Sequence, residues 1–203
     1  MISTRRDVLK SGAAAVAAVA AASLPPTAAA TATLRFHKVA YDGRFREATL
    51  FAERARGLGA NVHDIEGDIT GLWYDHLYQY WKRVPAPVAG ITRFNSLLAL
   101  QMMASVEGLR VVFRAHHPPD RGPAGHAPTH EIFGPFAALA AAPTLQGPAE
   151  RWAPAAAAIV MRWHADWTAI DRRHSTILDA EARGLASDTL ISWILAPVRP
   201  RAV

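Results

Sequence analysis

The side chains that could do chemistry in this chain follow the apolar stretches that predict β-strands. Asp42 follows the first stretch, Asp68 the second and His116 a later one. Carboxylates and imidazoles commonly act as general acids and bases, so these three residues are the candidate catalytic residues. In an open parallel α/β sheet, ligands bind beyond the carboxyl ends of the strands. We therefore expect these residues to share one rim of the sheet.

The same rim would carry groups suited to an anionic ligand, because helix N-termini favour negative charge. The candidate ligand-binding residues are Asp42, Arg44, Asp68, Thr70, Trp73, Thr92, Arg93, Arg114 and His117. Each type also has a plainer explanation. An aspartate between a strand and a helix is most often a cap or turn residue, and an arginine in the first turn of an exposed helix is usually solvated.

A histidine-rich segment is the candidate metal site. Its possible ligands are His116, His117, His126 and His130, with Asp120 or Glu131 as a supporting carboxylate. Such a set could bind copper, zinc or non-haem iron. Pro128 lies between His126 and His130, so their four-residue spacing is not that of a helical metal pair. The sequence alone names no cofactor.

Several strong motifs are absent from the chain. It contains no G-x-x-x-x-G-K-[ST] and no G-x-G-x-x-G after the first strand, which disfavours the usual nucleotide and dinucleotide chemistry. It also lacks the G-x-S-x-G elbow of α/β-hydrolases. His164 and Asp166 are two residues apart and would not face each other on a helix.

The elements that would position these residues alternate between strand and helix. Strands are predicted over residues 34–41, 60–66, 88–92, 109–115 and 189–196. Helices are predicted over 44–56, from Asp68 or Thr70 to about 84, and from Thr92 or Asn95 to 106. This order predicts a single three-layer α/β domain with a mainly parallel, Rossmann-like sheet of about five strands.

The C-terminal part is predicted to be irregular and helical. A proline- and glycine-rich loop is expected over residues 116–129. Helices are expected over 131–142, 149–163 and 170–184, and Pro154 is an alternative first residue of the second of these helices. The aromatic residues of the second helix are too many to face one core. We therefore expect some of them to line a groove or a partner surface. They are Trp73, Tyr74, Tyr78, Tyr80 and Trp81.

The N-terminus has the three parts of a secretory signal: a charged head, an alanine-rich apolar run and a small-residue cleavage site. Arg5 and Arg6 precede the run, and Leu9-Lys10 follows the pair. This segment resembles a bacterial twin-arginine (Tat) signal, with Val8 where that family usually has Phe. The resemblance implies a cleaved signal over 1–30, a mature domain over 31–203 and a periplasmic or secreted protein that crosses the membrane folded. An uncleaved anchor is disfavoured because the apolar run is short.

Composition narrows the remaining function classes. The chain has no cysteine, which excludes disulfides, thiolate zinc and cysteine-held iron–sulfur clusters. The formal charge is +5, of which the predicted signal carries +2. No basic run is interleaved with aromatic residues, so nucleic-acid binding is not expected. After cleavage no stable membrane span is expected.

Two hypotheses follow. The first is an exported accessory protein that binds a small anionic molecule or escorts a co-exported redox enzyme subunit. Tat-signalled escort subunits are similar to this chain in size and address only. The alternative is an enzyme, either metal-assisted through the histidine-rich loop or acid–base through Asp42, Asp68 and His116.

Overall fold

The computed structural model describes residues 35–119, 130–133, 142–162 and 188–197. Several predictions lie outside these residues: the export signal over 1–30, His126, the carboxylate Asp120, the His164–Asp166 pair and the helix over 170–184. They remain predictions.

The described residues form six strands and four helices. The strands are β1 (Lys38–Tyr41), β2 (Val62–Asp64), β3 (Val88–Arg93), β4 (Leu109–His117), β5 (Glu131–Phe133) and β6 (Leu190–Pro197). The α-helices are α1 (Arg46–Gly57), α2 (Tyr78–Arg83), α3 (Phe94–Val106) and α4 (Ala149–Met161). A π-helical turn over Leu72–Leu77 leads into α2, and a 3-10 turn over Ala142–Leu145 precedes α4.

The six strands form one mixed sheet in the order β2-β1-β3-β6-β4-β5. Only the β1–β2 and β1–β3 pairs are parallel. The β3–β6, β6–β4 and β4–β5 pairs are antiparallel, so the prediction of a mainly parallel sheet is wrong. The cause is β6, which runs between β3 and β4 and prevents those two parallel-running strands from pairing.

Although the pairing is mixed, β1, β2, β3 and β4 all point the same way. Strands β3 and β4 are each antiparallel to β6 and are therefore parallel to each other. Their carboxyl ends consequently reach the same edge of the sheet, as the sequence analysis expected. We call this edge the strand-end rim.

Helices cover both faces of the sheet. On one face α1 and α4 supply Phe51, Ala55 and Trp152 to a core that includes Ile91 of β3. On the other face the π-turn, α2 and α3 supply Leu77, Trp81 and Leu97 to a second core. Strands β3, β4 and β6 are therefore buried on both sides, which explains their nearly continuous apolar sequences.

The C-terminal predictions are partly confirmed. Residues 131–133 form the edge strand β5 instead of beginning a helix, because they pair with Arg114–His116 of β4. His116 and His117 belong to β4 and not to a loop. The predicted helix over 149–163 is confirmed as α4, which begins at Ala149 and contains Pro154 in its interior. Within the described ranges, no helix combines the length and the apolar character that a membrane span requires.

Gly90 is the point of closest approach in the centre of the sheet. A Cβ atom at this position would collide with the Ala40 carbonyl oxygen and would lie 2.8 Å from a ring carbon of Trp193. Both approaches are closer than van der Waals contact allows. A glycine is therefore needed for β1, β3 and the β6 indole to pack together.

We expect Gly90→Ala to lower the free energy of unfolding by about 1–3 kcal/mol, because overpacking forces the sheet apart. Gly57→Ala is the matched control: no atom lies within 4 Å of its added Cβ, and alanine favours the end of α1. Urea unfolding of both variants measures the difference. Equal unfolding midpoints would contradict the role given to Gly90.

Candidate functional site

At the strand-end rim, the register of the sheet places residues of β3, β6 and β4 side by side in rows across the strands. Arg93 of β3 is level with Leu190 of β6, and Leu190 is level with His117 of β4. Neighbouring strands are about 5 Å apart, so the backbones at Arg93 and His117 are separated by about 10 Å. The row below contains Thr92, Ile191 and His116 in the same order.

Strand alternation divides the predicted site residues between the two faces of the sheet. His117 stacks on Trp152 of α4, with ring centroids 4.4 Å apart. Thr92 lies on the opposite face, where its hydroxyl oxygen accepts a hydrogen bond from the Trp193 indole at 3.0 Å. The two rows therefore open on different sides, and His116 and His117 do not converge on one point.

Asp42 lies at the rim but is fully occupied by its own loop. Its carboxylate is buried and accepts hydrogen bonds from Arg44 Nε at 2.9 Å and Nη2 at 2.8 Å. These hydrogen bonds and the carboxylate charge raise the pKa of Arg44. A Cβ at Gly67 would overlap the same guanidinium, so the arginine also packs against that glycine. Asp42 thus orients Arg44, a role that suits binding better than proton transfer.

Asp64, a carboxylate that the sequence analysis did not select, holds the neighbouring loop. It accepts hydrogen bonds from the backbone N–H of Gly43 at 2.8 Å and of Glu66 at 2.9 Å. A Cβ at Gly43 would collide with this carboxylate. Asp42-Gly43 is a typical turn sequence, but the carboxylate that holds this turn comes from β2 and carries no local signal.

Arg44 and Arg93 meet around one aromatic ring. Each guanidinium carbon lies 5.9 Å from the centroid of the Phe45 ring. Phe45 and Arg93 are also the N-cap residues of α1 and α3, and neither helix has a side-chain cap. Thr92, one of the two predicted caps, instead directs its hydroxyl to the Arg93 carbonyl oxygen. Two arginines therefore flank the Phe45 ring at the uncapped start of α1, one of them paired with Asp42, and Arg93 is itself the N-cap of α3.

Asp68, Thr70 and Trp73 do not contribute to this group. Asp68 Oδ1 accepts hydrogen bonds from the Thr70 N–H at 2.9 Å and its hydroxyl at 2.6 Å, which lower the pKa of the carboxyl. This is a local turn, the plainer of the two explanations. Trp73 packs against the core beside Trp81, with ring centroids 6.0 Å apart.

A series of hydrogen-bonded side chains joins β6, β4 and the residue that precedes β5. His117 Nε2 lies 2.9 Å from Ser192 Oγ, and His117 Nδ1 lies 3.0 Å from His130 Nδ1. Burial, followed by the charges of His130 and His116, lowers the pKa of His117, which is therefore neutral at pH 7. Ser192 and Trp152 were not selected from the sequence, because both lie in apolar runs.

The order hydroxyl, imidazole, imidazole is that of a nucleophile, a base and an orienting group, and it is the observation that favours the enzyme alternative. However, Ser192 is 0% exposed and His117 is 1% exposed. A nucleophile needs access to its substrate. In the part of the protein that the structure describes, these hydrogen bonds instead provide partners for polar side-chain atoms in the core.

His116 and Arg114 lie together on the other face of β4. Burial, then the Arg114 charge, lowers the pKa of His116 to about 4, so His116 is neutral at pH 7 and a weak base. Glu131 Oε2 lies 3.7 Å from His116 Nδ1, which is too far for a hydrogen bond. The Arg114 guanidinium lies over the Phe133 ring at 4.5 Å.

The predicted metal site is not assembled by the described residues. No group of three or more His, Cys, Asp or Glu side chains within them is arranged to hold a metal ion. His117 and His130 are close to each other, but His116 points to the opposite face of the strand. His126 lies outside the described residues, so its part in the prediction is untested.

Comparison with known proteins adds no identification. The chain matches no protein-family model, no curated protein and no solved structure at a significant level.

We expect Ser192→Ala to lower the free energy of unfolding by about 1–3 kcal/mol, because it removes the partner of a buried imidazole nitrogen. Ser105→Ala is the matched control, since the Ser105 hydroxyl is exposed and bonds only to the Met102 carbonyl oxygen of its own helix. Chemical denaturation measures both. If the two variants lose the same free energy of unfolding, the Ser192–His117 hydrogen bond stabilises the fold no more than an exposed one.

Proposed function

We propose that this protein is an exported accessory protein that binds a small anionic ligand between β1 and β3. The strand order β2-β1-β3 supports this position. After β1 the chain forms β2 on one side of it and then crosses over to form β3 on the other side. The boundary between β1 and β3 is therefore a topological switch point. In doubly wound α/β proteins the crevice at this boundary is where ligands bind.

The observation that carries the proposal is the pairing of Arg44 and Arg93 around Phe45, at the uncapped N-termini of α1 and α3. Uncapped helix N-termini present backbone N–H groups and a positive partial charge. Arginine adds forked donors that match carboxylate and phosphate oxygens. Asp42 fixes the orientation of Arg44, so part of the site is preorganised.

Arg93→Gln tests the site, with inorganic phosphate as the probe anion. In the unchanged protein, phosphate at about 100 times its dissociation constant should stabilise the fold by about 2.7 kcal/mol relative to chloride at equal ionic strength. Arg93→Gln should remove most of this gain, because it removes one of the two cations. Thermal unfolding in the two salts measures the effect.

Arg56→Gln is the matched control, since Arg56 lies in the last turn of α1 and its loss changes the net charge equally. It should keep the phosphate effect. If Arg93→Gln and Arg56→Gln respond to phosphate alike, the anion does not bind between β1 and β3.

The export part of the proposal is supported by the Arg5-Arg6 pair and the mild apolar run that follows it. We expect the double substitution Arg5→Lys and Arg6→Lys to hold the protein in the cytoplasm, because lysine keeps the charge but lacks the planar fork of donors. Lys10→Arg should leave export unchanged. Cell fractionation measures the exported share, and export of the double-lysine variant would rule out the twin-arginine route.

Escort of a redox enzyme subunit is the second candidate function. Tyr74, on the π-helical turn, has 64% of its surface exposed, which is unusual for a residue among so many aromatic neighbours. An exposed aromatic side chain is a common anchor at protein interfaces. In the same fractionation experiment, an escorted partner would disappear from the periplasm together with the double-lysine variant.

A further inference from the structure

A second concave surface lies where β1 and β2 begin, at the end of these strands opposite to the strand-end rim. This cleft has a volume of about 320 Å³, within the range of small-molecule sites. Its lining comes from the starts of the two strands and from the π-turn with α2. The lining residues are His37, Lys38, Asn61, Asp75, His76, Gln79, Tyr80 and Arg83. The proposed function uses none of them.

One wall of the cleft is held rigidly. The His37 ring stacks on the Tyr80 ring with centroids 3.7 Å apart and an interplanar angle of 14°. His37 Nε2 lies 3.1 Å from the carbonyl oxygen of His76, and the His37 backbone N–H donates to the Pro87 carbonyl oxygen at 2.8 Å. The ring is therefore held by its stack on Tyr80 and its hydrogen bond to His76, and the His37 backbone is held by Pro87.

These contacts also define the chemistry of the His37 ring. A carbonyl oxygen only accepts hydrogen bonds, so Nε2 carries the proton and donates it. Burial lowers the pKa of His37, which leaves the imidazole neutral at pH 7 with Nδ1 as a hydrogen-bond acceptor. His37 thus adds an acceptor to the cleft and no positive charge.

The π-helical turn supplies Asp75 and His76 to the lining of the cleft. The Tyr78 N–H donates to the Trp73 carbonyl five residues earlier, which is the wide π geometry. Single π-turns inside helices occur frequently at functional sites. Here the apolar residues Leu77 and Trp81 are buried, while Asp75 and Arg83 of the same helical segment line the cleft.

The charged groups of the cleft are of both signs. Lys38 and Arg83 are cations, and Asp75 is an anion. Lys38 Nζ lies 3.3 Å from Asn61 Oδ1, and Arg83 Nε donates to the Gln79 carbonyl oxygen at 3.2 Å. Neither cation has a carboxylate among these partners. The cations suit a carboxylate, while Asp75 and His37 suit a hydrogen-bond donor on the same ligand.

We propose that the cleft between the π-turn and the starts of β1 and β2 binds a small carboxylic acid with a hydroxyl or ammonium group beside the carboxylate. Lys38 and Arg83 hold the carboxylate, and Asp75 and His37 accept hydrogen bonds from the neighbouring donor. The cleft is separate from the pair Arg44–Arg93, so it does not depend on the proposed function.

Four six-carbon compounds test the proposal by isothermal titration calorimetry on the purified chain. Hexanoate has only the carboxylate, 2-hydroxyhexanoate and norleucine add one donor each, and hexane-1,2-diol lacks the carboxylate. We expect 2-hydroxyhexanoate or norleucine to bind at least about tenfold more tightly than hexanoate or the diol, since each charge-assisted hydrogen bond is worth about a factor of ten. The tighter of the two identifies a hydroxy acid or an amino acid as the ligand type.

Substitutions locate the binding. Arg83→Gln should weaken the preferred compound at least about tenfold, and Asp75→Asn should weaken norleucine while leaving hexanoate unchanged. Arg56→Gln, an equal charge change elsewhere on the surface, should bind as the unchanged protein does, and so should Arg93→Gln. The proposal is overturned if none of the four compounds binds, if hexanoate or the diol binds as tightly as the substituted acids, or if Arg83→Gln has no effect.

Discussion

The burial of β6 between β3 and β4 is the constraint on which the rest of this structure depends. Residues 190–196 are buried along the whole strand, and helices pack on both of its faces. Its backbone groups can be satisfied only by hydrogen bonds to a strand on either side. β6 therefore holds together the parallel half, β2-β1-β3, and the antiparallel half, β4-β5, and its side chains enter both cores.

This arrangement gives the two halves different properties. In the parallel half, the strand ends present Arg44, Arg93 and two helix N-termini that no side chain caps. In the antiparallel half, Ser192, His117 and His130 are joined by hydrogen bonds, and Trp152 stacks on His117. The first group carries the proposed anion site, and the second is a polar network within the core.

The local structure of this chain was predictable where the signals are local. The strand β4 and the helices α1 and α3 were predicted close to their observed positions. Asp42 and Asp68 both accept hydrogen bonds from backbone N–H groups two residues later, as expected of turn residues. The prediction failed at β5, because a three-residue edge strand is specified by its partner β4 and not by its own sequence.

The partners of the site residues could not be predicted, because they are distant in sequence. Trp193 and Thr92 are separated by 101 positions, and His117 and Ser192 by 75.

Taken alone, the sequence determined the residue types, the alternation of strands and helices, the common direction of β1 to β4 and the resemblance of the N-terminus to an export signal. Only the tertiary structure decided which strand fills the gap between β3 and β4. Side-chain alternation along β4 then placed His116 and His117 on opposite faces. The packing of the loop after β1 against the end of β3 brought Arg44 and Arg93 to the Phe45 ring. The physical reason is that short-range propensity sets the conformation of each segment, whereas burial of both faces of the sheet sets its neighbours.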